Sequence, residues 1–568
     1  TSSELTFSEL RLGESPLSHL SHREPTRQAE PRVELSPPTP GSQFVSEPGG
    51  AIASSPAEAL ADTPTDAEEA DEEPPVTQRE TGLFTVYRQG EDWFWELPPE
   101  IFGQDLFWYA ELSRVPTDYT GGSPTLGSRL VRLQQRDEQV DVWDMTETWR
   151  KRDGVDAAPL GTPLGEAIAA SNRPTTMLSL PIVRTTATGA VVVNVTAIFT
   201  QDIGEFTVRG NLLRTGVMIS EGLADRSYIQ QMRAFPNNID LASTLTFARD
   251  LDPVMQSFVN QAAVSVDVHH SLTQLPAAPM PGRLSDPRVG YFSVGFDDYA
   301  SPETSGVLDR AFITRYRLEK ANPQVELSDP VEPIVFYLPD EIPARWRPYI
   351  RQGIEDWQVA FEAAGFTNAI VARDVPSPAV DPSWSRFDTR YSVVRWVAQP
   401  FRNAMGPNVY DPRSGEILAA LVVLWADLPA LLEEWYFIQA SAADPQARSL
   451  PLDEALMGEL IRMVTAHEVG HTLGLRHNFR ASQVYTVDQL RDPVFTSEHG
   501  TSPSIMSYGR FNYIAQPGDG VTTFIPQIGP YDEFAIAWGY TPIPQARSPL
   551  DERAVLDQWA ARQLADPR

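Results

Sequence analysis

Between Gly82 and Pro98 the chain reads GLFTVYRQGEDWFWELP, aromatic and polar residues alternating about a central glycine, which predicts two strands joined by a tight turn. SRLVRLQQRDEQVDVWDM, PIVRTTATGAVVVNVTAIF, QAAVSVDVHHSLTQL and VGYFSVGFDDYA follow with the same character and spacing. The most apolar run, Ala190 to Phe199, has the length and β-branched content of a buried strand. These segments predict a mainly β domain over residues 79–325. His269 and His270 are neighbours in one such strand and are expected on opposite faces, which argues against a shared metal.

Near residue 330 the period changes. PIVFYLP, TNAIVARDV and RYSVVRWV read as strands, and between the first two Trp346, Ile350, Ile354, Trp357 and Phe361 recur at helical spacing before Gly365. GPNVYDPRSGEILAALVVLW reads as two strands about a turn, and a second helix is expected from about Asp453 to Gly474. This order predicts an α/β domain over 326–545, followed by a helical extension over 546–568.

Residues 1–78, rich in Pro, Ser, Thr, Ala and Glu, with the acidic run DAEEADEEPP near their end, hold too little apolar surface to offset the entropy of ordering and are expected to be a disordered acidic segment, a latency or targeting segment being the other reading. With 45 basic against 76 acidic residues and a net charge of −31, the chain lacks the clustered cations that nucleic acid requires. No cysteine is present, which excludes disulfides, cysteine-ligated zinc and a thiol nucleophile. No apolar run is long enough for a membrane span. The chain opens on Thr1 rather than Met, which raises the expectation of a removed leader.

Candidate chemistry is concentrated in TAHEVGHTLGLRH, residues 465–477. His467 and His471 stand four apart and share one helical face, continuing the apolar stripe of Leu456, Leu460 and Val464. Glu468 lies beside them, Gly474 suits the turn that ends the helix, and His477 follows three residues later. The pattern H-E-x-x-H-x-x-G-x-x-H supplies three imidazoles and an open position, the donor set of a catalytic Zn2+. Histidines buried without such a partner would be costly.

Downstream, SPSIMSYGRFNY places Met506 some thirty residues after the third histidine, and here the sequence resembles the metzincin metalloproteases. DPRVGYFSVGF, RYRLEKANP, WRPYIRQGIEDWQVAFEAAGFTNAI, DPRSGEI, HTLGLRHNF and GPYDEFAIAWGY look like the large bacterial zinc-protease family that joins an uncharacterised N-terminal domain to a metzincin core. The resemblance implies a twisted sheet, a backing helix, a zinc-binding helix and a Met-turn floor at Met506. It implies a zinc endopeptidase with His467, His471 and His477 as ligands, Glu468 as general base and protein or peptide as substrate. Tyr508 matches a position where some members bring a tyrosine to the metal; donation to an oxyanion and plain packing beside the turn are both open. The edge strand that pairs with substrate maps to Ile417–Trp425, centred on Ala419, Ala420, Leu421 and Val422, with an ordinary buried strand as the other reading. Residues Arg510 to Tyr513 are expected to wall the primed side.

The resemblance also implies a secreted or periplasmic location, and because such proteins often run longer, truncation or processing is expected at the C terminus. Without cysteine, latency would need a carboxylate such as Asp297 or Asp298 on the metal; solvated or capping aspartates are the plainer reading. His499 is expected in a surface loop. Two other functions fit the same motif: a zinc-retaining scaffold of the cell envelope, against which the intact Glu468 argues, and an amidase acting on cell-wall peptide. Oligomeric state is not legible.

Overall fold

The structure, a computed structural model, describes residues 74–116, 125–155, 162–214, 216–250, 262–301 and 303–565. The expected acidic segment falls outside them up to residue 73. From Pro75 onward the chain forms one compact unit.

Twelve strands between Val76 and Gln274 form one antiparallel sheet. It curls towards closure: Leu83 N–H donates to the Phe235 carbonyl at 2.7 Å, and Gln78 Nε2 to the Met232 carbonyl at 3.2 Å, linking its first strands to one of its last. Inside sit Trp93, Trp95 and Trp108, because strand alternation sends every second side chain inward, joined by Phe199 and Phe206 from short helical turns. The expected hairpin is present as Thr85–Gln89 and Asp92–Leu97, with Gly90 at φ 65° in the turn. The apolar run at 190–199 departs from expectation. Its strand is only Val191–Asn194, because Asn194 Oδ1 accepts from the Thr196 N–H at 2.9 Å and starts a helical turn over Thr196–Phe199. His269 and His270 do face opposite ways: His269 Nδ1 lies 3.1 Å from Asp240, whereas His270 Nδ1 accepts from Trp108 Nε1 at 3.2 Å.

The C-terminal half is built on a six-stranded sheet. Ile370–Asp374, Ile334–Leu338, Ser392–Val397 and Glu416–Trp425 run parallel in that order, and the short strands Ala404–Met405 and Asn408–Asp411 close the far side antiparallel. The alternation in Glu416–Trp425 divides two cores. Ala420, Val422 and Leu424 face a helical layer, while Leu418 packs with Phe107 and Leu130 of the β domain. The helical layer holds Arg347–Glu355 and Gln358–Ala363, one expected helix broken at Asp356–Trp357, together with the long helix Glu454–Thr472. Asp453 caps that long helix by accepting from the Ala455 N–H at 2.9 Å. Pro530–Tyr540 and Pro549–Ala565 complete the layer. The molecule is therefore multidomain, a barrel-like β layer against a helix-backed sheet.

Two expectations need correcting. Ala419, Ala420, Leu421 and Val422 do not form an edge. Ala419 and Ala420 pair with Val409 and Asn408, Leu421 N–H donates to the Pro407 carbonyl at 2.9 Å, and Leu421 and Val422 pair on the other side with Val393 and Val394. The edge is the segment Ala404–Asp411. The boundary at 325/326 also fails to separate two cores: Val289, Tyr291, Ile313, Tyr316 and Leu318 are buried within the C-terminal core. The chain enters that core some forty residues before its pattern changes.

Candidate metal centre

The helix Glu454–Thr472 carries His467 and His471 one turn apart, with donor atoms of His467, His471 and His477 all within 4.8 Å of one another. His467 Nδ1 donates to the Ile505 carbonyl and His471 Nδ1 to the Leu475 carbonyl, both at 2.8 Å. Those bonds place each ring's proton on Nδ1 and leave Nε2 as a bare lone pair. The three Nε2 atoms converge, His477 lying 3.0 Å from His471 and 3.2 Å from His467. Ligands about 2.0–2.1 Å from one tetrahedral ion stand about 3.3 Å apart, so the triad fits a shared cation. Burial pushes all three imidazoles below their ordinary pKa, His477 to about 3, which keeps them in the neutral form that coordinates.

Each ligand is held from behind. Helix and turn meet at Gly474, where φ is +99° and a Cβ would overlap the Thr314 carbonyl. The following residues are strapped by Gly290–Phe292: Phe292 N–H donates to the Gly474 carbonyl at 2.7 Å and Arg476 N–H to the Gly290 carbonyl at 2.8 Å. Phe292 also brings its ring centroid within 5.9 Å of His471. Below the helix, Met506 is fully buried, and a Cβ on Gly470 would overlap its sulfur. Asn478 N–H donates to the Met506 carbonyl at 2.9 Å, tying the loop of the third histidine to this floor.

Asp532 secures the floor in turn. Wholly buried, it accepts from Ser504 Oγ and the Ile505 N–H at 2.7 Å and from the Gly529 N–H at 2.9 Å. The same Ile505 peptide unit presents its carbonyl to His467. Burial outweighs these donors and raises the Asp532 carboxyl to about 7.

Glu468 is buried beside the triad, and desolvation raises its carboxyl to about 8; a cation on the histidines would act in the opposite direction. Tyr508 stacks against the ligands, its ring 4.1 Å from His477 and 6.0 Å from His467, with 41% of the residue exposed. Burial and the nearby Glu468 push its hydroxyl up to about 12. Gly406, in the antiparallel edge, lies so close to the helix that a Cβ would overlap the Glu468 carbonyl oxygen and stand 3.2 Å from His471 Cβ.

Residues 449–568 match the family described as Met-zincin, and residues 125–321 match a Domain of unknown function (DUF5117). The C-terminal part of this chain is a Met-zincin. No curated protein and no solved structure matches the chain. Family and triad together imply a bound metal ion.

The other candidates lie apart from this role. Asp298 is buried and pairs with Arg310 at 2.8 Å, and Asp297 faces Asp309 across the same hairpin. His499 ends the helix Pro493–His499 with its ring against Phe495. Phe292, Gly406 and Asp532 were not read from the sequence as site residues. The segments of Phe292 and Asp532 carry family resemblance and that of Gly406 does not, but only the fold brings all three within reach of the triad.

Proposed function

We propose that this protein is a zinc-dependent endopeptidase. The convergence of three neutral imidazoles at their Nε2 atoms beside a buried carboxyl group supports the reading, because a purely structural metal has no need of Glu468. Zinc in the triad would lower the pKa of water towards neutrality and polarise a peptide carbonyl. Glu468 takes the proton from the attacking water and returns it to the leaving amine. Tyr508, packed on His477 with its hydroxyl still protonated at neutral pH, donates to the developing oxyanion. Extended substrate pairs with the antiparallel edge Ala404–Asp411, which runs along the helix at Gly406, and not with Ala419–Val422. Export to the cell envelope belongs to the same proposal; no helix among the described residues is long and apolar enough to cross a membrane.

The test is digestion of casein and a mixed peptide library by the zinc-loaded chain, with new termini identified by mass spectrometry. Turnover is expected in the parent, absent with a chelator, and reduced at least about a hundredfold in Glu468→Gln at unchanged zinc content. Equal cleavage by parent and Glu468→Gln would remove the general-base assignment. Full zinc occupancy with no new termini would remove the peptidase.

A further inference from the structure

Three arginines, Arg476, Arg480 and Arg510, lie within three residues in sequence of His477 or Tyr508 at the mouth of the site. The described non-glycine residues with positive φ are Asp137, Asn368 and Arg510. Asp and Asn adopt that conformation readily, whereas arginine has no such local relief. Arg510 at φ 55° lies four residues beyond Met506 and two beyond Tyr508. Its guanidinium carbon stands 3.6 Å from the centroid of the Trp435 ring. A strained backbone and a stacked plane together fix a rigid donor fork beside the tyrosine that packs on the third histidine.

Two more arginines flank that histidine. Arg476 and Arg480 are exposed and form no ion pair with a described residue, whereas Arg402, Arg462 and Arg491 in the same domain each face a carboxylate. Arg476 acts electrostatically on His477 and Arg510 on Tyr508, and the carboxylate felt at Tyr508 is Glu468 itself. Phe479, 55% exposed, lies next to Arg480 in sequence, and the Tyr508 ring is 5.2 Å from it. In a chain of net charge −31, three arginines so near His477 or Tyr508 in sequence are a local excess of positive charge beside exposed aromatic rings.

We propose that this mouth selects peptide segments with an acidic side chain beside the bond to be cut, the carboxylate being received by the Arg510 fork and supported by the charges of Arg476 and Arg480. The proposal rests on the reading of the site as a peptidase groove. Recognition is local: at about 0.15 M salt charges are screened within about 8 Å, so the overall negative field does not repel such a segment once it is in the groove. Planar, charge-assisted pairing favours a carboxylate over its amide.

The test uses the zinc-loaded Glu468→Gln chain and two fluorescein-labelled short peptides, identical except for a central Glu or Gln, with binding read by anisotropy. The Glu peptide is expected to bind about fivefold to tenfold more tightly at 0.15 M salt, with the difference fading at 1 M. Adding Arg510→Asn, whose side chain tolerates the left-handed backbone, should bring the ratio within about twofold of one at an unchanged or higher melting temperature. Arg510→Lys should retain part of the preference, since charge survives but the planar fork does not. A ratio near one in the parent, or one unmoved by Arg510→Asn, overturns the proposal. Cleavage by the chain with Glu468 intact is scored separately. New termini without acidic enrichment overturn the selectivity and leave the peptidase standing. A Glu preference in binding without any cleavage does the reverse.

Discussion

At Gly474 the backbone sits at φ +99°, and an added Cβ would meet the Thr314 carbonyl, so conformation and space both demand glycine. Left-handed backbone costs an alanine about 1–2 kcal/mol, and displacing a packed strand adds about 1–3 kcal/mol. Gly474→Ala should therefore lower the unfolding free energy by about 2–5 kcal/mol in urea titration and weaken zinc retention against a chelator. Asp532 gives a pH signature. Its carboxyl is raised from an ordinary 3.8 to about 7. Below about pH 4 folded and unfolded chains both hold the proton. Between about 4 and 7 only the folded chain keeps it, so this group's contribution to stability falls as pH rises and levels off above 7. Asp532→Asn should flatten that part of the stability curve. It should also cost about 1–3 kcal/mol at pH 5, because its NH2 group opposes backbone donors; melting curves of both forms across pH 4–8 decide this. The histidine spacing was legible because His467 and His471 are one helical turn apart. Asp532 was not, since an acidic residue at a helix start looks the same whether it is solvated or buried.

Elements matter most where distant stretches of chain meet. Gly290–Phe292 pairs with the turn at Gly474–Arg476, and Val289, Tyr291, Ile313, Tyr316 and Leu318 lie in the core behind the metal centre. At about 1.5–3 kcal/mol for each buried apolar side chain, those five approach the about 5–15 kcal/mol that hold a typical fold together. A fragment of residues 326–568 is thus expected to lack cooperative unfolding and to retain no stoichiometric zinc, by circular dichroism and metal analysis. A fragment with native-like melting would show that the strap is dispensable. The strand Glu416–Trp425 teaches a related point. Its hairpin with Asn408–Asp411 was readable from the turn residues, but which strand would be the edge was not. A run such as ILAALVVLW has the same composition at an edge and inside, and the neighbours that cover it come from elsewhere in the chain.

Across the whole molecule, the β layer and the helix-backed sheet are joined by buried polar contacts as well as by Phe107 and Leu418. Arg152 donates to the Pro412 carbonyl, Arg413 to the Pro276 carbonyl, and Asn238 to the Phe387 carbonyl. Such coupling predicts a single calorimetric transition for residues 75–568; two resolved transitions would mean that the layers unfold independently. Arg283 ties the segment ahead of Val289 to the last helices in a similar way, reaching the Trp538 and Thr541 carbonyls and Glu552. Removing one partner of such a buried pair costs about 3–5 kcal/mol, which Arg283→Ala should show in denaturant unfolding. By itself the sequence determined the period of each segment, the two-part organisation and the H-E-x-x-H-x-x-G-x-x-H donor set, because these depend on neighbours within about one helical turn or one hairpin. Tertiary structure alone decided the edge strand, the strap behind the third histidine, the carboxylate under Met506 and the reach of the β domain into the C-terminal core. Each of these depends on contacts between residues tens to hundreds of positions apart, which no local pattern records.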